Sequence, residues 1–244
     1  MSVPELPDEL LLAIFKHFDP LVLANYCVPE LVDITHVCHR WREIAVGTPE
    51  LWSNIYIFHL TNKNLPLEVI LRRSQHLPLK CQIYANIEVQ PRKLLMRASE
   101  RIETLKIKAP KCVLTRLIHL PIGPLPLLRV LEIIEKEDRT GLTDSEETLD
   151  SEQFLELFAA SELTELNLDG RSFTNIEPVL QPSLTRLTLC NRYFTVDYIL
   201  KALTQMPLLR FFYLSGDLPS SRSDSLRHYP QICIGSSKAP GRRE

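Results

Sequence analysis

The chain has 244 residues, 45% hydrophobic and 24% charged, ordinary values for a globular protein of one or two domains with a core of useful size. Its net charge of −2 gives no bulk attraction for nucleic acid or an anionic membrane, and no apolar run reaches the length of a membrane span. Six scattered cysteines and a start, MSVPELPDEL, without the basic and apolar regions of a signal peptide lead us to expect a reducing compartment, cytoplasm and/or nucleus.

The first informative run is LPDELLLAIFKHFDP, Leu6 to Pro20. Pro7 suits the first turn of a helix, where its missing N–H is no loss, and Asp8 and Glu9 put negative charge on the helix's positive end. Leu10, Leu11, Ile14, Phe15 and Phe18 recur at helical spacing. At ~100° per residue they form one stripe about 140° wide, with Leu12 outside it. That is more apolar face than packing on one neighbour requires.

The second run is LVDITHVCHRWREIAVGTPELWSNIYI, Leu31 to Ile57. It predicts a helix from Leu31 to Ala45, an end near Gly47, a break at Thr48-Pro49 and a short turn carrying Leu51 and Trp52. Both tryptophans of the protein, Trp41 and Trp52, lie here. A segment of about fifty residues buries too small a fraction of its surface to hide all these side chains alone, so a partner is expected.

The opening Leu-Pro, an apolar helix ending in Asp-Pro, then Val-Cys-His-Arg-Trp-Arg-Glu-Ile-Ala and Thr-Pro-Glu-Leu-Trp, together resemble an F-box of the fungal F-box-like type. The link LVLANYCVPE is longer than in the commonest F-boxes. The resemblance implies a surface for a Skp-type adaptor formed or supported by Leu6, Pro7, Leu10, Ile14, Val37, Cys38, Trp41, Leu51 and Trp52. It also implies a substrate-receptor role in a Skp–cullin–F-box ubiquitin ligase, reaching a cullin through the adaptor.

Beyond it, Thr61 to Leu65 reads as a linker. Pro66 opens a helix carrying Leu67, Val69, Ile70 and Leu71, His76-Leu77-Pro78 stops it, and Leu79, Cys81 and Ile83 alternate as in a strand. A Leu-x-x-Leu-x-Leu pattern then recurs as LTELNL (Leu163 to Leu168) and LTRLTL (Leu184 to Leu189), with looser copies IETLKI, LRVLEI and LRFFYL. The central residues Leu105, Leu131, Leu166, Leu187 and Phe212 are spaced by 26, 35, 21 and 25. Three of these spacings fall in the range of about 20–29 of leucine-rich repeats, which this half resembles, and the fourth contains an insert. Amphipathic stretches EQFLELFAA and VDYILKALTQM accompany some copies. The Asn or Cys of regular repeats is replaced by Arg171 and Arg192, so their side-chain ladder is not expected.

The repeat resemblance turns the residues beside each central Leu onto a concave sheet. From these come the expected target-binding residues Lys106, Glu132, Glu165, Asn167, Arg186, Phe211 and Tyr213. The two aromatics serve recognition or sit under a cap made by the tail. The insert, Glu135 to Glu152, holds eight acids and two bases and so carries −6 against +4 for the rest. It reads as a solvated loop, with a regulatory reading at Thr143, and Asp150 with Gln153 makes a capping box. From Asp217 the composition fits a disordered tail, within which HYPQICI can lie against the last repeat.

No assembled constellation for catalysis stands in the sequence. His36, Cys38 and His39 are the nearest approach to a metal set, but packing is the better reading for Cys38. The expected organisation is α/β: an all-α F-box over residues 1–60, a short irregular leucine-rich-repeat solenoid with a parallel sheet over 61–216, and a tail over 217–244. The expected role is a non-catalytic substrate receptor with no cofactor and no metal, whose partners are the Skp-type adaptor and a target protein, with no nucleic acid and no membrane. The alternatives are a non-ligase interaction scaffold whose F-box-like helices pack internally, and an enzyme with an unrecognised site.

Overall fold

The computed structural model describes residues 6–17, 29–57, 67–84, 92–119, 122–136, 149–159, 161–190, 194–215 and 232–234. Three short helices come first: α1 (Asp8–His17), α2 (Pro29–Val37) and α3 (His39–Gly47), followed by a 3-10 turn at Pro49–Trp52. The single helix expected from Leu31 to Ala45 is two. Cys38 is extended, with φ −158° and ψ 170°, and the chain changes direction there. Arg42 stabilises the break by donating from Nε to the carbonyl of Thr35 at 2.7 Å, near the end of α2, where helical carbonyls lack partners. His36 and His39 therefore stand on different helices.

These helices close over their own small core of Leu11, Phe15, Ile34, Ala45, Leu51 and Trp52, edged by Leu12, Leu31, Trp41 and Ile44. Leu12, expected outside the α1 stripe, packs at that edge, while Leu10 and Ile14 point outward. The expected stripe is thus divided between two faces of one helix.

Directly after the 3-10 turn the chain enters a sheet. Among the described residues its strands are β1 (Asn54–Ile57), β2 (Leu79–Tyr84), β3 (Ile102–Pro110), β4 (Val130–Lys136), β5 (Glu165–Asp169), β6 (Arg186–Cys190), β7 (Phe211–Ser215) and β8 (Ile232–Ile234). Their spatial order is their chain order. The first seven pair in parallel and β8 pairs antiparallel to β7, with Phe212 opposite Ile234. β1 thus lies inside residues 1–60 while pairing with β2, and β8 lies inside the stretch expected to be a tail.

Register aligns the buried side chains into two rows. One runs Ile55, Cys81, Leu105, Leu131, Leu166, Leu187, Phe212, and the other Ile57, Ile83, Ile107, Ile133, Leu168, Leu189, Leu214. The helices behind them are α4 (Leu67–Arg73), α5 (Arg92–Ala98), α6 (Lys111–Ile118), α7 (Ser151–Glu156) and α8 (Val196–Thr204). α6 buries Cys112, Val113, Leu114 and Leu117. Phe154, Phe158 and Phe173 form an aromatic cluster with ring centroids 5.6 and 5.9 Å apart. The predicted cap at Asp150 forms, its side chain accepting from Gln153 N at 3.1 Å, and α8 has a further cap that was not predicted, Thr195 accepting from Tyr198 N.

Hydrogen bonds tie the described loops to the strands. Backbone N–H groups of Thr164, Thr185 and Arg210 each donate to the residue that precedes the neighbouring strand, at 2.8 Å, and Arg129 N donates to Glu103 at the start of β3, at 2.9 Å. After β5, the Glu135 carboxylate accepts from Ser172 N at 2.9 Å and Ser172 Oγ at 2.7 Å. Gly170 lets the chain come this close: its φ is +147°, and a Cβ there would stand 2.4 Å from the Glu135 side chain. The Arg101 guanidinium gathers the carbonyls of Leu77, Ser74 and Leu71, fixing the turn after α4, where Gln75 has φ 51°. Burial lowers the Arg101 pKa, partly offset by Cys81. Among the described residues no helix is long and apolar enough to cross a membrane.

Leu166 is 1% exposed at the middle of its row. Leu166→Ala is therefore expected to destabilise the fold by about 2–5 kcal/mol, read as a lower urea midpoint.

Candidate functional site

Two surfaces carry the expected site residues. The first is the outer face of α1. Leu10 is 52% exposed and Ile14 43%, and with Leu6, Ala13 and His17 they line an open apolar groove of about 560 Å³. At ~100° per residue the four helical positions Leu10, Ala13, Ile14 and His17 occupy a sector of about 100°, while Leu11 and Phe15 lie on the inward side. Arg40 of α3 fixes the entry to α1, donating to the Leu6 carbonyl at 2.6 Å and from Nε to Asp8 Oδ1 at 2.9 Å. Val37 and Cys38 are also exposed, so Cys38 is not the packed small residue expected from sequence.

Of the other four expected residues, three stand behind this face. Trp41 meets Phe15 edge-on, with centroids 5.2 Å apart. Leu51 and Trp52 are buried, and Trp52 Nε1 donates to the Ala45 carbonyl at 2.8 Å. The Arg73 guanidinium of α4 lies 4.4 Å over the Trp52 ring, linking the helical core to the sheet's helices. Pro7 belongs to the first turn, its carbonyl accepting from Leu10 N and Leu11 N at 3.1 Å.

The second surface is the sheet face opposite the core. Register places its half-exposed residues in cross-strand rows. One runs Thr104, Val130, Glu165, Arg186, Phe211, and the next Tyr56, Gln82, Lys106, Glu132, Asn167, Thr188, Tyr213. All seven expected target residues therefore share one face. Lys106 Nζ meets Glu132 at 3.1 Å, Arg186 meets Glu165 at 3.6 Å, and Arg186 also lies 5.0 Å over the Phe211 ring. Asn167 Oδ1 is buried and has no hydrogen-bond partner among the described residues. Buried polar atoms seldom remain unpaired, so this carbonyl is a ready acceptor.

The sequence reading missed the row beyond these two: Tyr84, Lys108, Ile134, Asp169, Cys190, Ser215. Its signal was the continued alternation of IETLKIKAP and VLEIIEK past the six-residue repeat pattern. Thr143 and Arg192 lie outside the described residues. No group of three or more His, Cys, Asp or Glu able to hold a metal occurs among the described residues.

Residues 3–58 match the F-box-like family model, a span running from the approach to α1 through β1. No curated protein matches the chain.

Cys38 is exposed, whereas burial pushes the Cys81 thiol up to about 12. Because the thiolate is the reactive form, iodoacetamide at pH 8 is expected to label Cys38 and spare Cys81 in the folded protein, as read by peptide mass mapping. Equal labelling of both would contradict the burial of β2.

Proposed function

We propose that the chain is a substrate-receptor subunit of a Skp–cullin–F-box ubiquitin ligase. Its F-box-like helices bind a Skp-type adaptor, and the open sheet face holds a target protein. The observation that carries this reading is the apolar outer face of α1, exposed while its inner face packs the helical core. Leu6, Leu10, Ile14, Val37 and Cys38 make the contact. Pro7 and Trp41 set the pitch of α1, and Leu51 and Trp52 support it from below.

The second half, residues 61–216 together with β1, is read as an irregular leucine-rich-repeat domain. Strand order equal to chain order and the two continuous apolar rows support that reading. Lys106, Glu132, Glu165, Asn167, Arg186, Phe211 and Tyr213 form the recognition face. The chain performs no chemistry in this account. It raises the effective concentration of target lysines beside a conjugating enzyme brought by the cullin, in the cytoplasm or nucleus. Exposure of Leu10 and Ile14 favours this over a scaffold whose F-box-like helices pack internally.

Titration calorimetry of the full chain against a recombinant Skp-type adaptor is expected to show equimolar binding with a negative heat-capacity change. Leu10→Asp with Ile14→Asp is expected to abolish it while circular dichroism and the urea midpoint stay unchanged, because both side chains already face solvent. Absence of binding by the folded wild type, or undiminished binding by the double variant, would remove the adaptor reading.

A further inference from the structure

Four lysines mark the β2–β4 end of the sheet face. β2, β3 and β4 bring Lys80, Lys106, Lys108 and Lys136 onto one surface from three separate stretches of chain. Lys106 and Lys108 are two positions apart on β3, so they share a face at ~7 Å along the strand. Lys136 pairs in register with Pro110, one strand over and two positions on from Lys108, which puts the two ammonium stems roughly 8 Å apart at their bases. Lys106 and Lys108 line a groove of about 190 Å³ with Gln82, Tyr84, Glu132 and Ile134, and Lys136 stands just beyond its edge.

The acids on this face do not neutralise it. Glu132 is engaged by Lys106 at 3.1 Å, and Asp169 stands a strand away beside Ile134. Lys108 has no ion-pair partner among the described residues. Lys136 reaches over the Tyr84 ring at 5.8 Å, which positions its charge at the groove's edge. The β2–β4 part of the face therefore carries four lysines against one glutamate, on a chain whose net charge is −2. A polyanion gains nothing from the chain as a whole, so any attraction must come from this local field.

We propose that the groove binds an extended acidic segment of a partner protein. Its carboxylates, spaced along the segment, lie against Lys108 and Lys136, and its apolar or amide portion rests on Tyr84 and Ile134. This rests on the reading of the sheet as the target-binding face and names the chemistry of that target. The lysines supply point charges without the planar fork of arginine, which suits a run of carboxylates whose exact placement is not fixed. Neighbouring Glu132 disfavours a uniformly dense polyanion and selects for a peptide with spaced charges.

The test is fluorescence anisotropy of the full chain with a fluorescein-labelled decapeptide of alternating Glu and Ser. Controls are its Lys/Ser counterpart and a ten-nucleotide oligothymidylate. The Glu/Ser peptide is expected to bind, with an affinity that falls as salt rises from about 50 to about 300 mM. K108E/K136E is expected to weaken binding by about tenfold or more, K108R/K136R to retain it, and K201E, on α8 away from the groove, to leave it unchanged. Circular dichroism checks that each variant is folded. Equal binding of the Glu/Ser and Lys/Ser peptides, or wild-type affinity in K108E/K136E, overturns the proposal. Tighter lysine-dependent binding of the oligothymidylate also overturns it, in favour of a nucleic-acid ligand. Running the same peptide on Leu10→Asp with Ile14→Asp separates the two readings, since failure of the adaptor surface leaves peptide binding intact and the converse holds for K108E/K136E.

Discussion

Everything in this protein depends on two parallel rows of apolar side chains that run across the sheet. A parallel strand cannot pair with its predecessor through a tight turn; each needs a crossover that carries the chain back behind the sheet. Here every crossover brings apolar residues to the same side, so the rows Ile55 to Phe212 and Ile57 to Leu214 are covered by α4 through α8 and the intervening loops. Register follows at once. A slip by one residue would put Leu131 or Leu166 into solvent and its charged neighbour into the core. The opposite face is thereby freed from packing duties, and its composition can serve recognition.

The helical end is joined to this sheet by covalent continuity and one layered contact. Trp52 closes the small core of the helices, and two residues later the chain is already in β1, with Ser53 accepting a backbone hydrogen bond from Lys80 N at 3.0 Å. Arg73 covers the other side of the Trp52 ring, and burial together with neighbouring Arg72 lowers its pKa. The exposed stripe of α1 and the lysines of the sheet face thus lie on different elements. Neither needs the other's side chains, which is why each can be altered alone.

Much of this was legible in the sequence. The Leu-x-x-Leu-x-Leu pattern located the central strands because alternation with period two reports a half-buried strand, and Leu105, Leu131, Leu166, Leu187 and Phe212 fall in one row. The caps at Asp150 and Thr195 follow local chemistry and form, the former as read in advance. Three features were not legible, each for a physical reason. Periodicity runs through Cys38 without interruption, so the break between α2 and α3 is set by tertiary packing and the Arg42 bond to Thr35. Hydrophobicity does not say which apolar residues of α1 face inward; only the core made by Ile34, Ala45 and Trp52 separates Leu11 and Phe15 from Leu10 and Ile14. Lys108 and Lys136 are distant in the chain and are brought side by side only through register.

The central claim is that the outer face of α1 is an adaptor surface while the sheet face stays open for a target. Hydrogen–deuterium exchange of the full chain, with and without saturating Skp-type adaptor, tests it most directly. The account predicts slower exchange through Asp8–His17 and around Val37–Cys38, with Ile102–Pro110 and Arg186–Cys190 unchanged. Unaltered exchange in α1, or protection that falls on the sheet strands instead, would contradict it.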